Sequence, residues 1–132
     1  MATFLISVLA TLTITLVIHH PADAQVNCPA LRHWSSSNPP VNLPHIFCGE
    51  WRNGRAKGFH SRPKGKNPVT IAQFVVTQPK NSQGIYGGRW SYRGYSHKDK
   101  FSTFFPNPCT YSQVVNSILY AANHPTFCPE GA

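Results

Sequence analysis

The chain is 132 residues long, with twelve Pro, nine Gly, four Cys, and twelve Lys or Arg against four Asp or Glu, a formal net charge of +8. Singly scattered Pro and the lack of any heptad or triplet period exclude a helical rod, a coiled coil and a collagen-like chain. The surplus of positive charge asks for an anionic partner, and nucleic acid, anionic membrane and acidic glycan all qualify on charge alone.

Residues 1–24 read as a secretory signal peptide. An apolar run from Phe4 to Ile18, too short to span a bilayer comfortably, leads to Ala22-Asp23-Ala24, an A-x-A cleavage site before Gln25. The expectation is a secreted protein with no membrane anchor after cleavage. Cleavage removes one acid, Asp23, and no base, so the positive charge rises further. The remainder is one domain with a modest core that covalent staples would help. All four Cys lie in it, and an oxidising export route makes two disulfides the natural expectation. Among the possible pairings, Cys28–Cys48 and Cys109–Cys128 are favoured, since each closes a local loop of about twenty residues worth roughly 3 kcal/mol. No C-x-x-C spacing points to zinc.

Residues 25–42 form a polar, Pro-rich N-terminal segment in which Asn38-Pro39-Pro40 cannot continue a helix. The informative part, residues 43–132, follows. Val69 to Thr77 is β-branched and bounded by Pro68 and Pro79, which predicts a largely buried strand. Pro79 to Gly84 is a turn. In the next strand, Ile85 to Arg93, Tyr86, Trp90 and Tyr92 point one way and Arg89, Ser91 and Arg93 the other. Phe101 to Phe105 is a third, short strand. Thr110-Tyr111-Ser112-Gln113 fits a capping box, and Val114, Val115, Ile118, Leu119 and Ala122 make one apolar stripe of a helix that His124-Pro125 ends. The fold class is therefore α+β, a small antiparallel sheet with a C-terminal helix packed on it.

With so few acids, paired-carboxylate catalysis and carboxylate-held divalent metals are nearly excluded. Histidine remains. His45 precedes Ile-Phe-Cys-Gly-Glu, His60 lies in Gly-Phe-His-Ser-Arg-Pro, and Arg52, Arg55, Lys57, Arg62 and Lys64 lie on or near the connecting segment. Two imidazoles with ordinary pKa values of about 6.5 can divide proton acceptance and donation at neutral pH. Basic surroundings would hold a polyanion. These features suit metal-independent RNA cleavage, in which the ribose 2′-hydroxyl attacks its own phosphate to leave a 2′,3′-cyclic phosphate and a fixed cation stabilises the phosphoryl oxygens. No cofactor is needed by this chemistry.

His45-Ile46-Phe47-Cys48-Gly49-Glu50 followed by Gly58-Phe59-His60 resembles the paired-His motif of the EndoU endoribonucleases, a family that includes the coronavirus uridylate-specific enzyme. Ser102-Thr103-Phe104-Phe105-Pro106 leading into a helix is similar to the closing motif of that superfamily, above all of its bacterial toxin branch. The resemblance runs from Leu43 to about Asn123. It implies an EndoU-like catalytic domain over 43–132 with His45 and His60 as the acid and base pair. Thr103 would contact base or ribose, beside Ser102 and the cation Arg62, and Phe105, where some members have Tyr, would stack on a base. The family's third catalytic group is a Lys. Here Arg89 stands on the strand where it is expected, with Lys100 as the alternative, and the choice between them stays open. RNA as substrate, a protein inhibitor as partner and a monomeric state complete the expectation. The second reading is a secreted cationic protein, nucleic-acid-binding or antimicrobial, without turnover. Charge and disulfides fit both readings, and only the His pair separates them.

Overall fold

The computed structural model describes residues 25–125. The expected signal peptide and Cys128 lie outside them. The fold is α+β, with two small antiparallel sheets and a C-terminal helix. In chain order the elements are α1 (Leu43–Phe47), β1 (Glu50–Arg52), β2 (Arg55–Lys57), β3 (Ile71–Gln78), β4 (Tyr86–Tyr92), β5 (Asp99–Phe104) and α2 (Tyr111–Asn123). Among the described residues no helix is long and apolar enough to cross a membrane.

Local chemistry accounts for most of these elements. Asn42 caps α1 by accepting a hydrogen bond from the His45 amide at 3.1 Å, with Pro44 in the first turn. Asn53 and Gly54 both adopt positive φ, 55° and 71°, the geometry that closes a two-residue hairpin between β1 and β2. Strands β3, β4 and β5 form an antiparallel meander in that order. The expected capping box is present, with the Thr110 hydroxyl accepting from the Gln113 amide and the Gln113 side chain accepting from the Thr110 amide.

Two separate cores result. One joins Val41, Leu43, Phe47 and Cys48 to Val114 and Val115 of α2. The other is aromatic: Phe59, Tyr86, Trp90 and Phe104 are buried together, with Phe59 edge-on to Trp90 at 5.3 Å and to Phe104 at 5.2 Å. Full burial of such a side chain stabilises by about 1.5 to 3 kcal/mol.

Four expectations need correction. The stripe of α2 packs on α1 and the N-terminal segment, with Tyr111 stacked on Phe47 at 4.6 Å, and not on the sheet, whose inner face the Phe59 segment already covers. Strand β3 is not largely buried: it is an edge strand, with Val75 and Val76 63% and 51% exposed, because β-branching favours extended backbone whether or not another layer covers it. Strand β5 begins at Asp99, before Phe101, which brings Lys100 into the sheet. One disulfide is seen and not two. Cys28 is bonded to Cys48, whereas Cys109 is a free thiol and its expected partner Cys128 is beyond the described residues.

The Cys28–Cys48 bond closes a loop of 20 residues and ties the N-terminal segment to the end of α1. Cys28→Ser should lower the unfolding free energy by about 3 kcal/mol, read as a lower urea midpoint in oxidising buffer. An unchanged midpoint would mean that packing alone anchors the segment.

Candidate active site

The two His segments are laced together by their backbones. The Phe59 amide donates to the His45 carbonyl at 2.6 Å, and the His60 and Ser61 amides both donate to the Ile46 carbonyl, at 2.7 and 3.1 Å. Such close approach leaves no room for a side chain at position 58: a Cβ on Gly58, whose φ is +73°, would run into the His45 carbonyl oxygen. Phe59 is also left-handed, at φ 60°. That conformation costs a bulky residue about 1 to 3 kcal/mol, and the complete burial of its ring offsets the cost. The lacing sets the His45 and His60 rings 5.7 Å apart between centroids. Elsewhere, His33 rests edge-on against Trp34 and His124 stacks on Tyr120, while His97 is exposed in a turn.

His60 is half-buried, and its Nδ1 lies 3.0 Å from the Thr103 carbonyl oxygen. A carbonyl can only accept, so Nδ1 carries the proton and Nε2 of the neutral ring is a free acceptor. The Phe105 amide returns a bond to the His60 carbonyl at 2.9 Å, fixing the segment against the end of β5. Burial above all pushes the His60 pKa below its ordinary value; the Thr103 bond opposes this, and the charges of Lys100 and His45 reinforce it. His45 presents Nδ1 to the Glu50 carboxylate at 3.6 Å, an ion pair when the ring is protonated.

Alternation along β5 turns Lys100, Ser102 and Phe104 toward the core side and Phe101 and Thr103 away from it. Lys100 Nζ donates to the Ser102 hydroxyl at 2.8 Å and reaches the Gly58 carbonyl at 3.4 Å. Burial lowers its pKa. Ser102 is buried and fully engaged: its hydroxyl donates to the Gly58 carbonyl and accepts from the Trp90 indole, each at 2.9 Å. Its place is therefore behind Lys100, as a support.

Other expected site residues lie apart. Arg89 is on the opposite face of the sheet, exposed and ion-paired to Asp99. The Arg62 guanidinium lies 3.7 Å over the Phe74 ring and donates to Asn67 at 2.7 Å and the Gly65 carbonyl at 2.6 Å, so it braces a loop. Thr103 and Phe105 do lie beside His60, lining an apolar recess of about 310 Å³ with Ile46, Ile85 and Ile118. His60 also lines a cationic cleft of about 690 Å³ that includes His45, Lys100, Arg55, Lys57 and Lys98. The three Ile and Lys98 were not expected from the sequence. Ile118 was assigned only to the helix stripe, and nothing in the local pattern around Ile46, Ile85 or Lys98 distinguishes them from ordinary packing or solvated residues. Among the described residues, no three His, Cys, Asp or Glu side chains gather to hold a metal ion.

Residues 41–132 match the family described as bacterial EndoU nuclease. A protein named "Toxin" from Bacillus cereus is 35% identical over 92 residues, which cover 67% of this chain and 16% of that relative. The chain thus corresponds to a small part of that larger protein. No solved structure matches.

Two consequences of the geometry can be measured. By NMR titration His60 should ionise below about 6.5, and Lys100→Met should move its pKa upward by removing a neighbouring positive charge; no movement would place the ammonium away from the ring. Gly58→Ala should cost at least about 2 kcal/mol, because a Cβ at positive φ meets backbone that cannot swing aside. A neutral effect in thermal melts would contradict the lacing.

Proposed function

The chain belongs to the bacterial EndoU nuclease family, and on that premise we propose that it is a secreted, metal-independent endoribonuclease that cleaves by attack of the 2′-hydroxyl and leaves a 2′,3′-cyclic phosphate. The observation that carries this reading is the meeting of His45, His60 and Lys100 in one cationic cleft, with the rings 5.7 Å apart.

In the proposed step His60 is the base. Its Nδ1 proton is committed to Thr103 and its pKa is depressed, so at neutral pH Nε2 is free to take the 2′-hydroxyl proton. The oxygen then bonds to phosphorus, and His45, paired with Glu50 while protonated, gives its proton to the departing 5′-oxygen. Lys100, rather than Arg89, stabilises the phosphoryl oxygens: Ser102 and Trp90 hold it on the cleft side, and partial burial strengthens its field. The nucleobase that carries the attacking ribose enters the recess beside His60, where Phe105 offers a stacking face and Thr103 a hydroxyl. DNA binds without being cut, since it lacks the nucleophile.

Export is part of the proposal and rests on the apolar run over residues 4–18 and the Ala22-Asp23-Ala24 site. A toxin role with a protein inhibitor is supported by the likeness to the Bacillus cereus protein. Such an inhibitor would cover the cationic cleft.

His45→Ala and His60→Ala should each reduce cleavage of mixed-sequence RNA by about 100-fold or more, with the parent equally active in a metal chelator. The acid limb of the parent's rate profile should fall below about pH 6.5, because activity is lost only as His60 takes up its proton. Undiminished cleavage by either His variant would sink the assignment and leave a binding protein without turnover.

A further inference from the structure

Outside the reacting groups, the most unusual electrostatic feature is the β1–β2 hairpin. Its register sets Glu50 opposite Lys57 and Arg52 directly opposite Arg55. Like charges in that position repel, so the pairing weakens a hairpin only two short strands wide. Alternation places all four of these residues on one face, while Trp51 and the buried Ala56 take the other. Among the described residues, Glu50 is the one acid on that face, opposite Lys57, and no acid is paired in register with Arg52 or Arg55. Glu50 and Asp99 are the only acids among the described residues; Glu50 faces His45, and the Asp99 carboxylate, though the residue borders the cleft, is held by Arg89.

A third cation reaches the same cleft from the Trp51 side of the hairpin. Tyr95 stacks flat on Trp51, with centroids 3.8 Å apart, and fastens the loop after β4 to the hairpin. Lys98, on that loop, lies 5.9 Å over the Trp51 ring and donates to the Gly54 carbonyl at 3.4 Å. Arg55, Lys57 and Lys98 thus line the cleft, and His60 lines both it and the apolar recess.

We propose that the hairpin and the Lys98 loop form a phosphate-binding arm that grips the RNA backbone beyond the scissile link, so that the substrate is single-stranded RNA several nucleotides long. This rests on the ribonuclease reading above and extends it. A base seated in the recess is unstacked from its neighbours, which a single strand permits and a duplex resists. The backbone continuing past His60 then runs between the three cations, whose mutual repulsion its phosphates relieve.

The test uses the full mature chain carrying His60→Ala, so that RNA survives, and a fluorescently labelled mixed-sequence single strand of about six nucleotides. Each phosphate contact on a single strand contributes a slope of about 0.7 to the dependence of log affinity on log salt. Arg55→Gln, Lys57→Gln and Lys98→Gln should each flatten that slope by about 0.7, and the triple variant by about 2. The single variants keep the test valid if the triple one folds poorly. A slope indifferent to all three overturns the arm while leaving the catalytic reading intact. Equal competition by a duplex of the same sequence, or by vesicles of anionic phospholipid, also overturns it. Cleavage by the parent is read separately: loss of slope in the variants of a protein that cuts no RNA supports the arm and sinks the catalytic reading.

Discussion

The structure depends on one short stretch of backbone pairing, in which the carbonyls of His45 and Ile46 accept from the amides of Phe59, His60 and Ser61. It is the seam between the two cores. On one side α1 is clamped by α2 and by the Cys28–Cys48 bond; on the other, Phe59 plugs the aromatic face of the sheet. Each core restrains one imidazole, and main-chain hydrogen bonds set the distance between them. A small domain thereby holds two catalytic candidates more firmly than paired loops alone could. The absence of a Cβ at Gly58 is the condition for that approach.

Scarcity of carboxylates shapes the chemistry as much as the surplus of bases does. With Asp99 bound to Arg89 on the far face, Glu50 beside His45 is the remaining acid among the described residues. Among the described residues Lys100 stands beside His60 with no carboxylate partner and is held by the Ser102 hydroxyl and main-chain carbonyls, so its charge is available to an anion. Burial above all, reinforced by that charge, depresses the His60 pKa and so favours the neutral ring. In the proposed reaction one arrangement of charge would serve both attraction of a polyanion and the division of labour between the two imidazoles.

Much of this was legible in the sequence, for local reasons. The Thr110–Gln113 capping box and the alternation of Tyr86, Arg89 and Trp90 depend on neighbours along the chain, whereas the pairing of His45 with His60, a contact between separate segments, is legible through the two His motifs and the family they resemble. What escaped depends on tertiary context. The α2 stripe announces that it must be buried but not what buries it, and α1 took the place assigned to the sheet. Exposure of Val75 and Val76 reflects how little of the described chain covers that stretch of β3, which propensity cannot register. Arg89 and Lys100 are open alternatives in the sequence; with β5 starting at Asp99, alternation puts Lys100 on the side of Ser102 and Phe104. Asn53-Gly54 is a local hairpin signal of the same kind as the capping box. Arg62 shows the reverse limit: a cation beside a His motif reads as a phosphate ligand, yet it braces the loop through Phe74 and Asn67.

The central claim is that the paired imidazoles act on a ribose hydroxyl. It is tested most directly by following, with phosphorus NMR, an oligonucleotide that contains a single ribonucleotide in an otherwise 2′-deoxy strand. The account predicts one cut, on the 3′ side of that ribonucleotide, with a cyclic phosphodiester as the first product. Cleavage at the 2′-deoxy positions, or a first product that is a linear monophosphate, would contradict it.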